Sequence, residues 1–117
     1  MGKYKKTGDK LKYYECVQIL NSLILQGFVP IAAEGSKDIY INGKREPIAK
    51  VADALYHSIP HQEKLRLMLY QKGIEPEFYV SNEVLSLEEE YEKYYKDNVL
   101  DHNEYNFLEN LFEHFSS

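Results

Sequence analysis

"PHQEKLRLMLYQK", Pro60 to Lys72, is the stretch on which the fold class turns. Leu65, Leu67 and Leu69 alternate with Arg66, Met68 and Tyr70 at a period of two, the spacing of a half-buried strand. The composition, however, is almost wholly of strong helix formers, Pro60 suits a first helical turn, and Gly73 stands where a helix would stop. Length and flanking signals decide for a helix. The chain is then mostly helical.

Toward the N-terminus, Pro47 is suited to open another helix, because its missing N–H would be unpaired there anyway. Ile48, Val51, Ala52 and Leu55 form its apolar stripe, and it should end near His57. Before it, "FVPIAAE" and "KDIYING" read as short extended segments around a "GSKD" turn, the first held to an edge by Pro30. A small hairpin is predicted there. From Asp9 to Gln26, Tyr13, Cys16, Val17, Leu20, Leu23 and Ile24 recur at the helical period, with Thr7 or Asp9 as cap and Gly27 as stop.

Toward the C-terminus, "IEPEFYV" reads as extended. In "LSLEEEYEKYYKDN", Leu85 to Asn98, Ser86 and Glu89 have the spacing of a capping box, and Leu87, Tyr91, Tyr94 and Tyr95 share one helical face. Glu89 precedes Lys93, and Glu92 precedes Lys96, each by four residues in the favourable order. Asp101 and Glu104 repeat the capping signature. The last helix then carries Tyr105, Phe107, Leu108, Leu111, Phe112 and Phe115 over an arc of roughly 160°, against about 100° for a single core contact. Either this helix lies deep between other elements or part of its aromatic side meets another chain, a second copy included.

The reading is one mostly helical α+β domain over residues 1–117, with five helices, a small β-hairpin after the first, and a flexible basic arm at residues 1–8. Its core should draw on Val17, Leu20, Ile24, Val51, Leu55, Tyr91, Tyr94, Leu108, Leu111 and Phe112. At 117 residues, 44% hydrophobic and 28% charged, the composition is that of a soluble globular protein. The tyrosine, lysine and asparagine usage resembles that of an AT-rich genome, bacterial or phage. A polar, basic N-terminus and the lack of a long apolar run predict a cytoplasmic protein that does not enter a membrane.

Function is much less legible. Cys16 is the one cysteine, on an apolar helix face, which predicts an inert thiol and excludes an internal disulfide. His57 and His61 are four residues apart with Glu63 nearby, but Pro60 breaks the helix that would align them on a metal, so none is expected. With no glycine-rich phosphate loop and no strand-turn-helix around a nucleophilic serine, neither an enzyme nor a cofactor is expected.

Charge is the informative feature. Residues 1–74 carry twelve Lys or Arg against seven Asp or Glu, a net of +5, and residues 75–117 carry two against twelve, a net of −10. The halves either attract each other within the fold or turn one face to a charged partner. The leading expectation is a non-enzymatic regulatory protein that docks on a protein partner through acidic, aromatic C-terminal helices, as a charge mimic or inhibitor. Its contact residues would be Glu88, Glu90, Asp97, Phe107, Glu109, Glu113 and Phe115. The alternative is nucleic-acid binding by Lys3, Lys5, Lys6, Lys37, Lys44 and Arg45, with tyrosines interleaved among the N-terminal lysines.

Overall fold

The computed structural model describes residues 10–97, 100 and 102–116. Its elements, in chain order, are α1 (Tyr13–Leu25), β1 (Asp38–Ile41), β2 (Lys44–Pro47), α2 (Ile48–Tyr56), α3 (Ile59–Gln71), α4 (Asn82–Tyr94) and α5 (His102–Ser116). Five helices and one antiparallel hairpin after the first make the mostly helical α+β fold read from the sequence. No helix among the described residues is long and apolar enough to cross a membrane.

α1 begins later than its pattern suggests. Lys12 is the N-cap, and its backbone N–H donates to Glu15 Oε1 at 2.8 Å. Thr7 and Asp9 lie outside the described residues. At the other end Gly27 takes φ +81° while Phe28 N donates to the Leu23 carbonyl and Gly27 N to that of Ile24. This is a Schellman closure, and α3 repeats it at Gly73.

The hairpin is shifted along the chain from its predicted place. Regular pairing joins β1 to β2, with Ile39 opposite Glu46 and Ile41 opposite Lys44, and Asn42-Gly43 makes the turn with both residues at positive φ. Asn-Gly is the strongest short hairpin signal, because a type I′ turn needs two left-handed residues. "FVPIAAE" contributes a single bridge, Ile31 to Ile39, on the other side of β1. Pro30 at its centre has no N–H with which to extend that ladder.

α2 is the central element, flanked by α1, α3, α5 and β2. It buries Val51, Ala52, Ala54, Leu55 and Tyr56, and the two alanines let neighbouring helices approach closely. α3 settles the period-two ambiguity. Leu65, Met68 and Leu69 share its buried face, whereas Leu67 and Tyr70 point to solvent. Residues 74–80, expected to be extended, have no regular structure and are pinned to α1 by Gln18, which donates to the Tyr79 carbonyl at 3.0 Å and accepts from Tyr79 N at 3.2 Å.

Two expectations about the C-terminal helices change. α4 starts at Ser81, whose hydroxyl accepts from Val84 N at 3.2 Å, so Ser86 and Glu89 fall inside the helix and do not cap it. Of its apolar positions only Tyr91 is fully buried; Tyr94, placed in the core by its spacing, is 64% exposed. The aromatic side of α5 is instead covered within its own chain. Phe107, Leu108, Leu111, Phe112 and Phe115 are all buried, and Phe115 meets Phe28 edge-on at 5.5 Å. The wide arc arises because α5 lies against α2, α3 and β1 at once. Asp101, the expected cap, lies outside the described residues.

The other expected core positions are inside: Leu20, Val51, Leu55, Leu108, Leu111 and Phe112 are buried, and Val17 and Ile24 are packed against them. A radius of gyration of 13.6 Å is close to the roughly 13 Å of a single globule of about this length.

Candidate functional site

The polar side chains of the C-terminal third meet the rest of the protein around Tyr91. Tyr91 lies face to face with Tyr13, at the start of α1, with ring centroids 3.9 Å apart, and edge-on to Tyr56 at 5.2 Å. Its hydroxyl donates to Asp53 Oδ1 on α2. Burial, together with that bond, pushes the Tyr91 phenol far above its ordinary range. Burial followed by the charge of Asp53 pushes Tyr13 up to about 12. Tyr56 donates to Glu92 at 3.4 Å and is likewise pushed up to about 12, by burial and then by Glu92. All three phenols therefore stay neutral, and the negative charge of the cluster rests on carboxylates.

His57 ties this cluster to the end of α4. Its Nδ1 lies 2.9 Å from the Asp53 carbonyl and 3.2 Å from Asp53 Oδ1, and its Nε2 lies 2.5 Å from the Lys96 carbonyl. Glu88, half-buried against α1, accepts from Tyr14 N at 2.9 Å. Burial raises its carboxyl above the usual carboxylate range despite that bond, and neighbouring Glu92 adds to the rise.

A cleft of about 370 Å³ opens beside the Tyr13–Tyr91 stack. Lys50, Asp53, Tyr95 and Glu104 stand around it, and Lys50 Nζ lies 3.6 Å from Glu104 Oε1. From the cleft, an aromatic path leads outward: Tyr91 to Tyr95 at 6.4 Å, then Tyr95 to Tyr94 at 6.3 Å. Tyr94 belongs to the exposed side of α4. At about 100° per residue, Glu83, Leu87, Glu90 and Tyr94 fall within an arc of roughly 60°. All four are exposed, so glutamates and large apolar side chains alternate along one solvent-facing ridge.

The expected contact residues separate into two groups. Glu90 lies on the ridge, Asp97 is exposed just past α4, and Glu88 faces inward. On α5, Phe107 and Phe115 are in the core and offer no surface to a partner. Glu109 accepts from Lys64 at 3.2 Å and lies 2.6 Å from His61 Nε2. Burial works against its ionisation, but these two contacts outweigh it and hold the Glu109 carboxyl below its ordinary range. Glu113 is exposed beside Asn42, Asn110 and His114.

His57 and His61 serve different partners on either side of the α2–α3 junction, since His61 Nδ1 meets Ser58 Oγ, the N-cap of α3. Among the described residues no group of three or more His, Cys, Asp or Glu is placed to hold a metal ion. Cys16 is fully buried, which pushes its thiol well up. Lys37, Lys44 and Arg45 are exposed around the hairpin, Arg45 in a two-nitrogen contact with Asp38 at 3.0 and 2.8 Å. Lys3, Lys5 and Lys6 lie outside the described residues.

The hairpin turn, the Ser81 cap and the Asp53–Tyr91 bond were all missed from sequence. The first two had a local signal in Asn42-Gly43 and Ser81; the third joins residues 38 apart and had none. Comparison with protein-family models, curated proteins and solved structures gives no match.

Proposed function

We propose that this protein is a non-enzymatic binding protein whose α4 ridge docks a basic, apolar segment of a protein partner. One observation carries the reading: large apolar and aromatic side chains stand exposed at helical spacing between glutamates, on a helix that commits only Tyr91 fully to the core. α4 holds five glutamates against one lysine. An apolar surface interrupted by acids is matched by a surface with basic and apolar residues in the complementary order, the acids steering encounter and the apolar side chains retaining the partner.

The division of charge between the helices supports α4 over α5. Acids of α5 are joined to cations from the first half of the chain, Glu104 to Lys50 and Glu109 to Lys64. The acids of α4 meet a cation of their own segment, Glu92 with Lys96 at 3.3 Å, while Glu83, Glu89 and Glu90 are exposed.

Selection of a random-peptide library on the immobilised protein tests the reading. Enriched peptides should combine Lys or Arg with Leu, Phe or Trp. Glu83→Lys with Glu90→Lys should weaken them about tenfold or more and slow their association at low salt. Leu87→Ser with Tyr94→Ser should mainly speed dissociation. Enrichment without basic bias, or peptides indifferent to both double variants, would sink the proposal.

A further inference from the structure

We infer that Asn42, at the tip of the hairpin, is a modification site: its side-chain amide is converted to aspartate and isoaspartate by attack of the chain's own backbone, at a rate set by opening of the β1–β2 turn. The inference does not depend on the docking reading. Asn42-Gly43 is the one Asn-Gly pair in the chain, and both residues are exposed. Among the described residues, nothing beyond its chain neighbours stands within 4 Å of the position a Gly43 Cβ would take, so the attacking nitrogen is unhindered. Asn21, Asn82, Asn103, Asn106 and Asn110 lie in helices, and each precedes a residue with a side chain, as does Asn98.

The reaction needs only water and base. The Gly43 N–H gives its proton to hydroxide, and the nitrogen attacks Asn42 Cγ. The bond from Cγ to the amide nitrogen breaks, and ammonia leaves with a proton taken from water, closing a five-membered succinimide. Water then opens the ring at one of its two carbonyls. Opening at Cγ gives aspartate; opening at the backbone carbonyl gives isoaspartate, whose chain runs through the former side chain. One water is consumed, one ammonia is released, and nothing is oxidised or reduced.

The turn holds this chemistry back. Asn42 at φ +54° and Gly43 at φ +81° form a type I′ turn, which sets ψ of its first central residue near roughly +30°. At that angle the Gly43 nitrogen lies across the Cα–C bond from the Asn42 side chain, out of reach of Cγ. Ring closure needs nearly half a turn about that bond, which parts Ile41 from its partner Lys44. The open fraction of the hairpin therefore sets the rate. The two products differ in their effect. Aspartate tolerates left-handed backbone and keeps the turn. Isoaspartate adds a methylene to the backbone, so the loop no longer holds Ile41 opposite Lys44, and the buried Ile39 and Ile41 lose their register against α5. Either product places a carboxylate beside Glu113, in the cavity of about 130 Å³ that Asn42 shares with it.

The test incubates the full chain in mildly alkaline buffer and follows amide-to-acid conversion at each asparagine by mass spectrometry of its peptides. Asn42 should be the first to convert in the native chain, at a rate at least about tenfold below that of a synthetic peptide of residues 38–47. In guanidinium chloride the two rates should coincide, and there Gly43→Ala should slow the step by crowding the attacking nitrogen, whatever it does to folding. Hydrogen exchange in β1 and β2 should be faster in the isoaspartate fraction than in Asn42→Asp, which carries the charge without the extra methylene. Native Asn42 that does not convert, converts after another asparagine, or converts at the peptide's rate would overturn the inference. So would an isoaspartate fraction whose hairpin exchanges no faster than that of Asn42→Asp.

Discussion

Glu88 and Glu109, both read from sequence as surface acids for a partner, have opposite electrostatic roles within the fold. Burial raises the Glu88 carboxyl, so the native state holds its proton more firmly than the unfolded chain does, and its contribution to stability falls as pH rises through the carboxylate range. Glu109 is lowered by Lys64 and His61 against the effect of burial. Its contribution is present above the unfolded carboxyl value and is lost as pH falls through the folded one. Glu88→Gln, which keeps an oxygen for Tyr14 N, should therefore leave stability at pH 7 unchanged or higher and raise the neutral side of the stability profile relative to the acid side. Glu109→Gln should do the reverse by no more than a few tenths of a kcal/mol, since that side chain is half exposed. Urea melts from pH 3 to 7, roughly the carboxylate range, check both; parallel shifts in the two variants would contradict the assignment. Neither role was readable beforehand, because each depends on a residue at least 45 positions away. Gln62 is a further case. It is buried on α3, accepts from Leu11 N at 2.8 Å and donates to the Leu55 and Tyr56 carbonyls at 3.0 and 3.1 Å, tying the chain before α1 to the end of α2. In the sequence it is one polar residue among several on a helix.

At the scale of elements, the error in α4 came from two serines five residues apart, of which only Ser86 has a glutamate three residues on to complete the capping-box pattern. Ser81 wins because the helix can start there while Gln18 still holds Tyr79, and Tyr91 then reaches Tyr13 and Asp53. Ser81→Ala should cost about 1 kcal/mol, and Ser86→Ala less than about 0.5, measured by chemical denaturation. The opposite order would place the helix start where the capping box alone had put it. A helix with a strong one-sided pattern, such as α2, was legible because its burial follows its periodicity, whereas α3 was legible from its helix-forming composition and flanking Pro60 and Gly73. α4 was legible as a helix but not in its orientation, because leucines and tyrosines occur on both sides of it and only the packing selects Tyr91 over Tyr94. The hairpin was legible in kind; its register depended on Asn42-Gly43, the turn signal that the preceding GSKD stretch obscured.

At the scale of the whole molecule, the charge split divides into a compensated part and an outward-facing part. α5 brings its acids against lysines of α2 and α3 and sends its aromatic side inward, so it belongs to the fold. α4 sends glutamates, Leu87 and Tyr94 outward. That division could not be read from composition, since both helices are acidic and aromatic in sequence and differ only in what lies beside them. The most direct measurement is hydrogen exchange on the full chain with and without a saturating library-selected basic peptide. Added protection should centre on α4 and on the backbone after it up to Lys96, with α5 and the hairpin unchanged. Protection centred on the hairpin or on α5, or binding without added protection anywhere in α4, would contradict the account.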